Sequence, residues 1–254
     1  MLSRAYKQPP WFLTLVLLLA LRACTSPPPD AQTIIDKAIL AHGGDQLDGK
    51  RITFDFRGRQ FVAEHEGGRF QYERIYTTDT TGVVREILNN DGFFREIDGV
   101  RGEFDDEFMR RMETSVNSVI YFALLPYKLN DPAVIKTYLG TAELEGQPYY
   151  KVEIRFQEEG GGRDYQDWFV YWIHQDAWTM DYLSYYYFTD DEGARFRKVV
   201  NSRMIGDFRL TDHINYKADY LGREVDRFDE AFSEGKVEQV SEVILENIEV
   251  TPLQ

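Results

Sequence analysis

Cysteine is almost missing from this 254-residue chain, which has one, Cys24. That excludes an intramolecular disulfide and a cysteine-based metal site. Histidine is also scarce, and none of His42, His65, His174 and His213 stands in an HExxH or similar ligand spacing. The GxSxG elbow, the phosphate-binding P-loop and the dinucleotide fingerprint do not occur either. No metal and no cofactor are therefore expected. Positive charge is in deficit, with 29 Lys and Arg against 43 Asp and Glu, for a net charge of −14. Such a surface repels polyanions, which removes nucleic acid from the expected partners. No internal repeat and no Pro/Ser-rich linker interrupts residues 30–254, so a single domain is expected there.

Apolar and aromatic residues, at 43% and 15%, are plentiful enough for a buried core. One long apolar run lies near the N-terminus. Arg4 and Lys7 precede Trp11 to Leu21, eleven apolar or near-apolar residues. That length suits a signal-peptide core and falls short of the roughly 20 residues a helix needs to cross a bilayer. Leu21-Arg22-Ala23-Cys24 then resembles the lipobox of bacterial lipoproteins, although Arg22 departs from the usual small or aliphatic residue. The resemblance implies cleavage before Cys24 and a diacylglycerol thioether on its sulfur. Losing Arg4, Lys7 and Arg22 with residues 1–23 would take the charge from −14 to −17. Thr25 to Pro29 carries three prolines and reads as a short, stiff tether. The expected organisation is a signal peptide over 1–23, a lipidated cysteine and tether over 24–29, and the domain over 30–254. Thr25 after Cys24, in place of Asp, points to the outer membrane by analogy with other lipoproteins.

Within 30–254 most of the chain has a period of two. Ile52, Phe54 and Phe56 alternate with polar residues, as do Tyr150, Val152, Ile154 and Phe156. Further strands are expected around residues 70–76, 83–84, 93–97, 168–173, 178–188, 195–204, 208–218 and 241–250. Gly67-Gly68, Thr81-Gly82, Asn90-Asp91-Gly92 and Asp98-Gly99 supply turns. The run 168–188 is apolar on both faces and needs a layer or a cavity wall on each side. Two segments have the helical period. Ile34, Ile35, Ala38, Ile39 and His42 form a stripe behind the cap Asp30 and before Gly43-Gly44. Phe108, Met112, Val116, Val119 and Ala123 form a second, with Asp105 to Glu107 at its N-terminus and Pro126 past its end. The expected fold is α+β: a strongly curved antiparallel sheet of about ten strands, a half-open barrel covered by two or three helices. The 105–125 helix lies over it as a lid.

Four blocks carry a family resemblance: His42-Gly43-Gly44, Asn117 to Pro126, Asp167 to Ile173 and Arg195-Phe196-Arg197. Together they resemble a family of uncharacterised bacterial envelope lipoproteins. Its fold is similar to the carriers that sort outer-membrane lipoproteins, the LolA/LolB type, which hold acyl chains in an incomplete barrel. The likeness implies fold and location; no functional carrier residue aligns.

Catalytic groupings are weak. Asp167 and His174 stand at opposite ends of one strand, about 20 Å apart at the usual rise, and Asp212 and His213 point to opposite faces. No residue is assigned a catalytic role. The aromatics are the stronger signal. Phe54, Phe56, Tyr121, Phe122, Tyr150, Phe156, Trp168 and Tyr171 are the candidate lining of an apolar cavity, although strands use aromatics for ordinary packing as well. The first expectation is a membrane-anchored envelope lipoprotein, tethered by lipid on Cys24, that binds an acyl chain or another lipophilic ligand without catalysing a reaction. The alternatives are a tethered envelope enzyme using Asp, His and Arg near 164–174, and a scaffold that binds a protein partner.

Overall fold

A computed structural model describes residues 28–188 and 192–253. The leader and Cys24 lie outside the described residues.

The first helix, α1 (Ala31–Ala41), begins where Asp30 Oδ1 accepts the Thr33 N–H at 2.7 Å. Its Ile34, Ile35, Ala38 and Ile39 are buried along the expected stripe. It stops because Gly43 turns left-handed at φ +73°, where a Cβ would lie 2.0 Å from the Asp207 carbonyl oxygen. Only glycine fits such a position.

The described residues hold fourteen strands in two antiparallel sheets of seven. The first sheet is a meander of β1 (Lys50–Phe56), β2 (Arg59–Glu66), β3 (Arg69–Thr78), β4 (Gly82–Asn89), β5 (Gly92–Ile97) and β6 (Val100–Arg101). The last strand, β14 (Glu246–Pro252), pairs with β1. The second sheet runs in order through β7 (Val134–Leu144), β8 (Gln147–Phe156), β9 (Trp168–His174), β10 (Met180–Tyr187), β11 (Gly193–Ile205), β12 (Phe208–Lys217) and β13 (Glu238–Val243). The α+β class, with three α-helices among the described residues, agrees with expectation. The count of ten strands and the half-open barrel need correction, because the two sheets do not close on each other.

The reasons are local. β2 and β7 interleave their apolar residues with many polar ones, and β6 is two residues long. The expected last strand over 241–250 is in fact two strands in different sheets. The chain turns the corner at Ile244-Leu245, between β13 and β14. Asp212 on β12 pins that corner. Its carboxylate accepts the Leu245 N–H at 2.9 Å and is gripped by both Arg203 terminal nitrogens at 2.7 Å, while Arg203 also donates to the Leu245 carbonyl at 3.0 Å.

Opposite that corner, the free edges β6 and β7 are linked in sequence by the helix α2 (Asp106–Ala123). Asp105 caps it by accepting the Phe108 N–H at 2.8 Å. Val116 and Ile120, four apart on one face, are fully buried with Ile52, Phe61 and Tyr72 of the first sheet. Tyr121 and Phe122, rotated onto the next flank, reach the second sheet at Phe169 and Tyr185. One helix therefore serves both sheets.

The second sheet is covered on both sides, as its two-sided apolar strands require. On its inner face α1 packs over Val152, Ile154, Tyr171 and Ile173. On its outer face the segment 218–233, which includes α3 (Phe228–Ser233), packs Leu221, Val225 and Phe228 against Val170, Trp172 and Phe196.

Candidate functional site

Between α2 and the inner face of the second sheet lies a cleft of about 780 Å³. The flank of α2 carrying Ser118, Tyr121 and Phe122 forms one wall. Phe156, Phe169 and Tyr185 form the opposite one, and the glycines 160–162 shape the rim. The aromatic wall is continuous: Phe169 lies 5.8 Å from both Phe156 and Tyr185, and Phe122 lies 5.1 Å from Tyr185. Beneath it, Tyr121 and Tyr171 bring their hydroxyls to 3.4 Å.

Of the eight candidate cavity residues, Phe56, Tyr121, Phe122 and Phe156 face this cleft. The other four lie elsewhere: strand alternation turns Trp168 to the opposite face, while Phe54, Tyr150 and Tyr171 share a face with cleft residues but sit farther along their strands. Phe54 is buried in the first sheet, stacked on Phe61 at 5.4 Å. Tyr171 is fully buried under the cleft floor. Tyr150 stacks on Trp178 beside α1. Trp168 points to the outer face, where the Arg155 guanidinium covers its ring at 3.6 Å.

The polar members of the cleft are distributed in a way the sequence reading did not foresee. Asp164 and Asp167 line the rim. His174 does not join them: it stays in the β9–β10 turn, where its Nδ1 accepts the N–H groups of Asp176 and Ala177. The histidine in the cleft is His213, with Thr211 Oγ1 3.4 Å from its Nε2. Asp212 faces away into the sheet corner, so the adjacent pair is split as expected. Arg195 and Arg197, two residues apart on β11, both line the cleft, and Phe196 between them is buried in the outer core. The alternation in Arg195-Phe196-Arg197 held this signal, since it places both guanidiniums on one face.

Burial dominates the electrostatics. It pushes the Asp167 carboxyl up to about 6, partly opposed by the Phe188 N–H that it accepts at 3.1 Å. It pushes His213 down to about 3, helped by Arg197, and His42 down to about 3, helped by Arg209. His42 closes α1 at its C-terminus. It is neutral, and its Nε2 accepts the Met180 N–H at 3.0 Å. His65, buried against Tyr72, is lowered to about 4.

These shifts set a pH dependence. A histidine lowered in the folded state leaves the unfolded chain holding the extra proton, so its contribution is complete above pH ~6.5 and is lost as pH falls toward the folded value. Each of His42 and His213 then costs about 1.4 kcal/mol per pH unit below ~6.5, and His65 adds to the loss until pH approaches its folded value of about 4. Asp167, raised to about 6, acts the other way between ~3.9 and that value and offsets one of them in part. Urea unfolding should show stability falling by about 3 kcal/mol or more from about pH 7 to about pH 5. A flat profile across that range would contradict neutral buried histidines.

Comparison with solved structures finds similarity at low sequence identity. The chain is similar to a LolA superfamily protein from Nitrosomonas europaea, at 11% identity and a TM-score of 0.47 over 89% of this chain and 94% of that one. It is also similar to a putative outer membrane lipoprotein-sorting protein domain from Vibrio parahaemolyticus, at 8% identity and a TM-score of 0.46 over 87% and 94%. A DUF1329 family protein from Desulfovibrio piger gives 12% identity and a TM-score of 0.44 over 87% and 93%. No curated protein matches. The model of DUF6503, a family of unknown function, matches residues 11–246, and the chain belongs to that family.

Proposed function

We propose that this protein is a lipid-anchored lipoprotein of the bacterial envelope, held in the outer membrane through Cys24, that binds a lipophilic ligand in the cleft between α2 and the second sheet. The observation that carries the ligand reading is the open cleft of about 780 Å³ with its aromatic wall of Phe122, Phe156, Phe169 and Tyr185. Small-molecule sites are typically concavities of about 300–1,000 Å³, mostly apolar with a few placed polar groups. The size and lining here match that description. Apolar wall area left open on this scale is stabilised when an acyl chain displaces water from it, at about 25 cal/mol per Å².

Lipid extraction and mass spectrometry of the purified protein test this directly, together with titration of acyl compounds. The variant Ser118→Trp places an indole in the cleft from the α2 flank without entering the Val116–Ile120 stripe. It should weaken acyl-chain binding about tenfold or more, equivalent to ~1.4 kcal/mol, while the melting temperature stays close to wild type. Undiminished binding in that variant would place the ligand elsewhere.

The anchor rests on the apolar run ending at Leu21-Arg22-Ala23-Cys24. Two or three acyl chains hold a protein on a membrane durably, at about 0.8 kcal/mol per buried methylene. Cys24→Ser should move the protein from the membrane fraction to the soluble fraction. Retention of that variant on membranes would remove the anchor from the proposal.

A further inference from the structure

The chain carries fourteen more carboxylates than cations, and most of its sheet arginines are matched to one. Arg74 pairs with Glu86, Arg85 with Glu73, Arg203 with Asp212 and Arg209 with Asp181. Even Arg163, on the cleft rim, pairs with Glu113 at 2.9 Å. Arg195 and Arg197 differ. Among the described residues neither has a carboxylate within 4.0 Å. Both are only partly exposed, and the two lie about 7 Å apart along the same strand face.

What they touch instead is neutral. Arg195 donates to its neighbour's carbonyl, Ala194 O, at 2.7 Å, and its guanidinium lies 5.6 Å from the Tyr187 ring. Arg197 lies flat over Phe122 at 4.0 Å and donates through Nη2 to the Tyr185 hydroxyl at 3.0 Å. Its Nε is buried and has no hydrogen-bond partner. Two like charges side by side in a partly desolvated cleft repel each other, and a buried unpaired donor costs about 1–3 kcal/mol. A fold with acidic residues to spare leaves this cost standing in the wall of the aromatic cleft. The Tyr185 hydroxyl, already accepting from Arg197, keeps its own proton free to donate. Phe122 belongs at once to the aromatic wall and to the Arg197 stack, so the cationic end of the cleft is continuous with its apolar part.

We propose that Arg195 and Arg197 form a head-group seat, and that the ligand of this cleft is an acidic amphiphile: an acyl chain ending in an oxyanion, carboxylate or phosphate monoester. This inference rests on the ligand-binding reading above and narrows it. The guanidiniums present fixed donor forks that fit two-oxygen anions, and the chain lies along Phe122, Phe156 and Phe169. Asp164 and Asp167 also line the cleft.

The test is calorimetric titration of the purified full-length protein with dodecanoate, dodecyl phosphate, methyl dodecanoate and inorganic phosphate. Dodecanoate or dodecyl phosphate, whichever carries the preferred head, should bind about tenfold or more tightly than the methyl ester. The double variant Arg195→Gln/Arg197→Gln should lose that preference and keep its affinity for the ester. If acid and ester bind equally well to wild type, the seat is refuted and the apolar cleft survives. If no acyl compound binds, both readings fall. Tight binding of inorganic phosphate without any acyl compound binding would make this a small-anion site and also refute the amphiphile. The acid-against-ester comparison on wild type needs no variant. Should the double variant fold poorly, Arg197→Lys keeps the charge but loses the planar fork, and it should retain only part of the preference.

Discussion

Asp212→Ala should be strongly destabilising, lowering unfolding free energy by about 3 kcal/mol, because a buried backbone donor and a part-buried guanidinium lose their acceptor. Asp212 is 1% exposed, and its two oxygens accept from Arg203, Asn201 and the Leu245 N–H. Its removal leaves the Arg203 guanidinium and a buried backbone donor without their acceptor. The damage falls where the chain leaves the second sheet for the first. Guanidinium unfolding should show the loss, and hydrogen exchange should show early opening of β13 and β14. Asp212→Asn, which keeps one acceptor and the shape, should fall between. A melting temperature for Asp212→Ala within a degree or two of wild type would mean that the corner is held by packing alone.

Glu86→Leu should cost a similar amount, about 3–5 kcal/mol, for a related reason beneath α2. Glu86 is fully buried on β4, and Arg74 on β3 is 3% exposed. Arg74 Nε meets Glu86 at 2.5 Å, while its Nη1 donates to Ser115 Oγ of α2 at 2.7 Å. The pair therefore ties the helix to the first sheet as well as neutralising itself. Arg95, 3.5 Å from Glu86, is the outer member and stacks on Phe104 and Phe108. Replacing Glu86 alone strands Arg74. Replacing both, as Arg74→Met/Glu86→Leu, removes the fully buried pair together and leaves only the outer cation, Arg95, without its carboxylate. The double variant should be more stable than Glu86→Leu by about 2 kcal/mol or more, because an apolar pair of similar volume replaces a buried ion pair at little cost. Additive losses in the two positions would show that Glu86 supports the fold independently of Arg74.

Both carboxylates were invisible as structural centres in the sequence. Asp212 stood beside His213 and invited a catalytic reading; its partner Arg203 is nine residues away across a hairpin. Glu86 lies in Val-Val-Arg-Glu-Ile-Leu, where an alternating pattern alone cannot tell a buried acid from a solvated one. The two helices, by contrast, were legible down to their caps. Asp30 and Asp105 each accept an N–H three residues on, an arrangement set by neighbours in the chain. Turns such as Asn90-Asp91-Gly92 were legible for the same reason. β2 and β7 were not, because cross-strand partners rather than their own composition hold them in the sheets.

The cleft divides in the same way. That Tyr121 and Phe122 share a helix flank, and that Arg195 and Arg197 share a strand face, follows from 3.6 and 2 residues per repeat, and the sequence by itself determined both. It also determined the α+β class, the acidic surface and the absence of any cysteine framework, since these depend on composition and local geometry. Only the tertiary structure decided that the strand expected over 241–250 breaks into two sheets, that Phe54 is buried deeper in the first sheet and Trp168 faces the outer side, and that Arg197 meets Phe122 and Arg195 meets Tyr187 rather than a carboxylate among the described residues. Those facts depend on which surfaces come together across long sequence separations. Such a pairing is chosen by the packing of the whole chain, and no local pattern of residues records it.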